Sequence, residues 1–428
     1  MPQPILLVCT VGGSHQPIVS AIEILKPDFV CFICTGRDPG TGRPGSEIQI
    51  TGKDFCIKAN FNDERPSLPN IPTQTGLDAD RYEVRLCPAD DLDAVFRVCY
   101  EALRELRTSD AEARVIADYT GGTKTMSAGL VAAALEVDGV ELQLVTGNRA
   151  DLIKVHDGWQ SVGEASADEL KLTRRMSPYL AAWTRYAYDE AALGLASLPR
   201  PRGSLAARLD RARVLSQAYA AWDRFEHGEA LAKLQLYAAA LPDELKSHIG
   251  VLLRLCGKEG DVKNEPARLL DLYRNAERRA AQGRYDDAVA RIYRLLEWTA
   301  QWLLRRDFGV DTSAVPEDFV PPGLELSRTR DGKLQAGLFA AWELVGTKLD
   351  SEAAHFIREE RESLRHHVHA RNNSILAHGF TPIGREHWQA LHDWLSERFL
   401  PMLLAESRKS GIRCLPPQLP SVYPFDLS

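Results

Sequence analysis

Over its first 160 residues the chain alternates between two hydrophobic periods. Residues 5–11, 29–35, 82–87, 114–119 and 140–146 are short, nearly unbroken apolar runs of buried-strand length. Between them, residues 17–25, 91–106 and 126–137 carry apolar positions at helical spacing, such as Ile18, Ile22 and Leu25. The alternation predicts a parallel sheet with helices on both faces. Such sheets bind ligands at the carboxyl ends of their strands, so the loops leaving each strand are the ones to inspect. Residues 35–51 and 60–80 are Gly/Pro-rich loops, and 151–155 followed by Asp157-Gly158 adds a candidate edge strand.

After about residue 165 the strand pattern stops, and Ala, Leu, Arg and Glu dominate, which favours helix. Pro199-Arg-Pro-Arg-Gly203 breaks the pattern as a linker would. Two helical hairpins are expected, over 219–240 around His227-Gly228 and over 269–303 around Gln282-Gly283. Helix pairs of the tetratricopeptide sort are a structural alternative for this middle region. Ala288, Ile292, Leu295, Leu296, Thr299 and Leu303 form one apolar face. A long charged helix is expected over 352–377, closed by Gly379 with Pro382 beyond. The Pro-rich end reads as an extended tail. The boundaries that follow are 1–165 for the α/β domain, 166–268 for a helical linker, 269–410 for a second helical domain and 411–428 for the tail.

The chain has 428 residues, which allows two or three domains. Its 52 Lys and Arg against 59 Asp and Glu give a net charge of −7. That disfavours a basic nucleic-acid coat protein, while leaving room for a local basic groove. No apolar run approaches the roughly 20 residues of a membrane span. The start, Met-Pro-Gln-Pro, has no basic n-region, so a cytoplasmic protein with no membrane partner is expected. The eight cysteines are scattered, mostly within apolar stretches, as reduced core residues are. Cys31 and Cys34 form a C-x-x-C within a strand, where positions three apart face opposite sides. With no second pair at zinc spacing, no metal site is assigned.

Two strands end in glycine turns that enter helices. The first runs Thr10-Val-Gly12-Gly13-Ser14-His15, and the second runs Asp118-Tyr-Thr-Gly121-Gly122-Thr123-Lys124-Thr125. Glycines let the backbone approach a ligand, and a helix N-terminus presents free N–H groups to phosphate. Two such loops at one sheet edge point to a nucleotide-like ligand; the alternative is a pair of tight βα turns with Ser and Thr caps. Neither loop is a Walker A or a G-x-G-x-x-G motif, which disfavours an ATPase or a dehydrogenase.

In the helical half, Arg371 and His378 stand seven residues apart, with Asn372 beside the first. Seven steps of ~100° return to within about 20°, so a continuous helix would place both on one face. The trio suits metal-independent RNA cleavage: histidine moves protons near neutral pH, and arginine stabilises charge on phosphate. A two-fold dimer would bring two pairs into one cleft. The alternative is an ordinary charged helix face. His366 and His369, at i and i+3, are too few for a zinc site. Arg291, Arg294 and Glu297 read as surface ion pairs sooner than as an RNA cleft.

Together these motifs resemble a known family. The two glycine loops are similar to those of the nucleotide-sensing Rossmann-like domain called CARF, and Arg371 to His378 resembles the R-x(4–6)-H motif of HEPN ribonucleases. The Gly283-Arg-Tyr-Asp-Asp-Ala-Val-Ala-Arg-Ile-Tyr-Arg segment adds to the likeness. The order of domains resembles the CARF–HEPN ancillary ribonucleases of type III CRISPR systems. The resemblance implies an α/β CARF domain, an all-α linker and an all-α HEPN domain. It also implies a homodimer activated by a cyclic tetra- or hexa-adenylate to cut single-stranded RNA, with no cofactor for catalysis and no stable DNA complex. By motif, Thr10, Gly12, Gly13, Ser14, Gly121, Gly122, Thr123 and Lys124 would meet the activator, with Asn148 and Arg149 as further candidates. Arg371, Asn372 and His378 would be catalytic. Two competing readings are a CARF sensor whose helical half is a partner-binding or regulatory module, and a helical scaffold whose glycine loops are only turns.

Overall fold

The computed structural model describes residues 3–60, 62–147, 160–257, 264–372, 375–376 and 379–426, with the main chain alone at 146–147, 160–164 and 370–372. It divides into two compact units, 1–171 and 172–428.

The first unit follows the expected alternation. Its elements are β1 (Ile5–Thr10), α1 (Gln16–Leu25), β2 (Phe29–Thr35), α2 (Ile48–Thr51), α3 (Ile71–Thr75), β3 (Tyr82–Cys87), α4 (Leu92–Ser109), β4 (Arg114–Asp118), α5 (Lys124–Glu136), β5 (Val140–Gly147) and β6 (Gln160–Glu164). The sheet order is β3-β2-β1-β4-β5-β6. The first five strands are parallel, and β6 closes the edge antiparallel to β5. The edge strand expected at 151–155 lies outside the described residues.

Strand residues alternate between two cores, as period-two geometry demands. Cys31 and Ile33 face the core built with Val95, Cys99, Met126 and Leu130 of α4 and α5. Val30, Phe32 and Cys34 face the core under α1, with Ile18, Ile22 and Ile71. Cys31 and Cys34 therefore point to opposite faces. Burial pushes both thiols up, Cys34 to about 12.

The second unit is helical. Its order is α6 (Asp168–Ala181, beginning just before the division), α7 (Tyr188–Ser197), α8 (Ser204–Asp223), α9 (His227–Gln235), α10 (Asp243–Leu255), α11 (Glu265–Ala281), α12 (Tyr285–Phe308), a two-residue-strand hairpin β7 (Ser327–Arg328) and β8 (Leu334–Gln335), α13 (Leu338–Lys348), α14 (Glu352–Asn372), α15 (Arg385–Trp394) and α16 (Leu400–Ser407). One continuous apolar core runs from Leu172 to Tyr423. Trp183, Trp222 and Trp342 are fully buried in it, and each indole N–H finds an acceptor: Ser216 Oγ, Asp271 Oδ1 and the Leu296 carbonyl. The expected apolar face of α12 is buried throughout.

Between α15 and α16 the helix widens into one π turn, Leu395–Phe399. Pro401 follows in the first turn of α16 and has no N–H to give an α-helical bond, and the π turn absorbs that mismatch. The Pro-rich tail is extended as expected, and it is docked. Leu419 and Tyr423 are buried, Tyr188 donates to the Pro420 carbonyl at 2.7 Å, and Arg274 donates to that of Pro416 at 2.9 Å. Prolines lose little chain entropy on ordering, so few contacts suffice.

The long charged helix is shorter than its sequence suggests. α14 ends at Asn372, and Ile375–Leu376 form a turn. Gly379 is accordingly not the helix cap.

Candidate functional site

Strands β1 and β4 lie side by side in the sheet although α1 to α4 separate them in sequence. The chain winds from β1 out to β3, then returns to the other side of β1. The crevice at the carboxyl ends of β1 and β4 is thus the switch point of the sheet. Both glycine loops open there.

The loops touch backbone to backbone. Thr10 is fully buried, and its Oγ1 donates to the Gly121 carbonyl at 2.7 Å. Ser127 Oγ donates to the same carbonyl at 2.9 Å. A Cβ on Gly121 would sit 2.2 Å from the Thr10 carbonyl oxygen, and one on Gly12 would sit 2.7 Å from Gly122 N. Gly122 takes a φ of +83°, which L side chains rarely adopt. Thr10 is therefore a brace between the loops: its hydroxyl is spent on protein.

Thr123 is likewise committed. It caps α5, its Oγ1 accepting from Met126 N at 3.2 Å and donating to the Ala89 carbonyl at 2.7 Å. On the first loop His15, not Ser14, holds the N-cap position of α1. Gly13 and Ser14 are exposed, with open space where a Cβ on Gly13 would lie. Lys124 is exposed at the first position of α5, and among the described residues no carboxylate pairs with it. Among the described residues the crevice thus offers a bare glycine, the Ser14 hydroxyl, the Lys124 ammonium and the positive end of a helix dipole, which together suit an anion. Asn148 and Arg149 lie outside the described residues.

Two further residues, Gln49 and Asp118, shape the crevice. Gln49 donates from Nε2 to the Gly12 carbonyl, brought there by the folding of the 35–51 loop. Asp118, at the end of β4, is buried; burial pushes its carboxyl up, against hydrogen bonds from Thr120 N at 2.8 Å and Gln143 Nε2 at 3.4 Å. It holds the second loop in shape.

In the second unit, Arg371 and Asn372 form the last two residues of α14, and His378 lies outside the described residues. The helix ends between the two members of the pair, so a continuous α-helix does not place them on one face. Tertiary contacts hold α14 instead. Glu360 accepts from Trp394 Nε1 at 2.8 Å and from Arg398 Nε at 2.6 Å, and the His367 ring packs 4.9 Å from that of Trp394. Ile375 and Leu376, in the turn, are 53% and 48% exposed, and Phe380 is 96% exposed. Arg294 pairs with Glu297 at 2.7 Å, and Arg291 donates to Asn275 at 2.5 Å and pairs with Asp287 at 3.6 Å. Among the described residues no group of three or more His, Cys, Asp or Glu is placed to hold a metal ion, and no helix is long and apolar enough to cross a membrane.

Residues 258–399 match the family model of the Csm6 HEPN domain. Among solved structures, Enterococcus italicus Csm6 bound to cyclic hexa-2′-fluoro-hexa-dAMP aligns over 95% of this chain and 95% of that one, with a TM-score of 0.56 at 11% identity. This chain has the CARF–HEPN fold. It resembles the CARF–HEPN ancillary ribonucleases of type III CRISPR systems over both of its units. Can2 from Sulfobacillus thermosulfidooxidans in complex with cyclic tetra-adenylate overlaps 56% of this chain and 68% of that chain at 13% identity. Its TM-score of 0.24 says nothing of shared architecture. The curated proteins give no match. The HEPN match contains Arg371, Asn372 and His378, and the crevice of β1 and β4 belongs to the CARF domain.

Proposed function

We propose that this protein is an endoribonuclease of type III CRISPR defence, switched on by a cyclic oligoadenylate and cutting single-stranded RNA without a metal. The observation that carries the reading is the Csm6 HEPN match across a span holding an R-x(6)-H pair, in a chain whose other unit has the CARF fold. The Csm6 of like fold was solved with a cyclic oligonucleotide bound, which supports that class of activator.

In this reading Gly12, Gly13, Ser14, Gly121, Gly122 and Lys124 cradle the activator phosphates, and Asn148 and Arg149 are further candidates by sequence. Thr10 and Thr123 hold the loops in place. A two-fold ring bridges the crevices of two copies. It activates only through tighter binding to the active dimer. The exposed Ile375, Leu376 and Phe380 suit burial by the second copy around a shared cleft.

The chemistry follows from the residue types. The substrate 2′-oxygen bonds to the adjacent phosphorus as the bond from phosphorus to the 5′-oxygen breaks. A 2′,3′-cyclic phosphate and a 5′-hydroxyl result. His378 moves protons between the two oxygens, Arg371 binds the phosphate oxygens where charge builds up, and Asn372 orients the phosphate.

The test is cleavage of a fluorescence-quenched single-stranded RNA in EDTA, with no activator, with cyclic tetra-adenylate and with cyclic hexa-adenylate. Cleavage with one activator, lost in His378→Ala, is the expected result. Activator binding without cleavage in any arm would replace the enzyme with a sensor whose helical half recruits a partner.

A further inference from the structure

A cleft of about 440 Å³ opens in the second unit between the C-terminal half of α11 and the start of α15. Its walls include Glu277, Tyr285, Arg385, Trp388, Gln389 and His392. The reading above gives none of them a role.

One wall is an aromatic ladder. The His392 ring stacks on Tyr273 with centroids 6.0 Å apart and lies 5.5 Å from Trp388. His392 Nε2 is 3.0 Å from the Tyr273 hydroxyl and 3.3 Å from Glu277 Oε1. The other oxygen of Glu277 accepts from Arg274 at 2.8 Å and from Gln418 of the docked tail at 3.3 Å. The ladder and the carboxylate are therefore set in place before any ligand arrives. Arg385 and Gln389 stand exposed one helical turn apart on α15, and among the described residues no carboxylate pairs with Arg385.

The volume is that of a small-ligand site, and the donor set is mixed in a particular way. Tyr285 offers half-buried aromatic surface, and Trp388, 7% exposed, shows one edge of its ring in the wall beside it. Gln389, whose Nε2 donates to Asp393 at 2.7 Å, offers its amide oxygen, and Glu277 offers a carboxylate; both can read hydrogen-bonding edges. Arg385 offers a planar cation for phosphate. Stacking surface beside such groups is how single-stranded nucleic acid is held. Location adds to composition. α15 begins seven residues after His378, and the connecting segment is tied down where Ile383 N donates to Asp286 at 3.1 Å.

We propose that this cleft holds one nucleotide of the single-stranded RNA substrate flanking the bond that is cut, with Trp388 and Tyr285 taking the base and Arg385 the phosphate. The inference rests on the ribonuclease reading for the identity of its ligand. It adds a place where base preference is set, since Gln389 and Glu277 meet the base and the R-x(6)-H pair meets only phosphate and sugar.

Two measurements test it. In the first, the full-length His378→Ala protein is photo-crosslinked to single-stranded RNA hexamers carrying 4-thiouridine at successive positions. Crosslinked peptides from Tyr285 or from 385–392, at one position of the hexamer, are expected. In the second, the Arg385→Ala/Gln389→Ala double variant is assayed with activator on RNAs differing at a single base. KM should rise about tenfold, by more than any fall in kcat, and discrimination among the bases should shrink. Crosslinks confined to other peptides, with KM and base preference unmoved, would overturn the cleft assignment and leave the ribonuclease reading intact. Crosslinks in the cleft of a protein that cleaves nothing would support the site and sink the ribonuclease reading instead.

Discussion

The hydroxyl of Thr10 donates to the carbonyl of Gly121 at 2.7 Å, across 111 residues of sequence. That bond joins the two glycine loops into one crevice. Thr10→Val should cost about 1 kcal/mol, the low end for a buried hydrogen bond, because Ser127 still serves the same carbonyl. Thr10→Ser should recover most of it. Urea unfolding of the three proteins checks the order, and cyclic oligoadenylate titration should show weaker binding by the valine variant.

The glycines separate by what surrounds them. An alanine Cβ at 121 meets the Thr10 carbonyl at 2.2 Å, and backbone cannot yield as a side chain can. Gly121→Ala should therefore destabilise by about 2 kcal/mol or more. Gly13→Ala meets nothing within 4 Å and should stay within about 0.5 kcal/mol of the parent. Thermal unfolding distinguishes them. If Gly13 lies against an activator, its alanine variant loses ligand affinity while keeping its melting temperature.

Lys124 is exposed and unpaired among the described residues, so its removal touches no packing. Lys124→Ala should leave stability within about 0.5 kcal/mol. It should raise the activator concentration for half-maximal RNA cleavage about tenfold, the loss of one charge-assisted phosphate contact. An unchanged activation curve would remove Lys124 from the site.

His248 sets an acid limit on the second unit. Its ring is buried with Nδ1 3.0 Å from the Tyr219 hydroxyl, and burial, helped by the Arg278 charge, pushes its pKa down to about 4. Above the ordinary value of 6.5 it is neutral in both states and adds no pH dependence. As pH falls from 6.5 towards 4, the unfolded chain takes up a proton that the folded chain refuses. Stability then falls by about 3 kcal/mol. His248→Gln should flatten that limb of a stability–pH curve, and a limb unchanged in the variant would assign it to other groups.

Asp223 carries the other stake in that unit. It accepts from Asn275 Nδ2 at 2.9 Å and Arg278 Nε at 2.7 Å, and it pairs with Arg279. Arg278 is fully buried. Asp223→Ala strands two guanidinium groups and should cost about 3–5 kcal/mol. Unfolding of the second unit should shift while activator binding by the CARF domain holds.

Much of the CARF domain was legible because strands of a parallel sheet are buried on both faces and read as unbroken apolar runs. β2 and β3 coincide with their expected bounds, and β1, β4 and β5 do so within one residue. The glycine turns were visible for a similar reason, since each lies at a change of period from strand to helix. The last helix was misjudged at its end. Apolar Ile375, Leu376 and Ala377 suggested continuation, whereas Ile375–Leu376 form a turn, because an apolar run does not by itself say which backbone state buries it.

Local pattern, then, determined which segments are strand or helix, where the glycine loops open and where the R-x(6)-H pair stands. Periodicity reports which face of an element is buried, and it is silent about the partner on that face. Only the tertiary structure set β4 against β1, tied the Thr10 and Thr123 hydroxyls to protein carbonyls, and carried Gln49 onto Gly12. It alone brought His392 to Tyr273 and Glu277 across more than a hundred residues, making a cleft that neither α11 nor α15 announces in its own sequence. Such contacts arise from chain closure over long separations, and their geometry is written in the packing of whole elements.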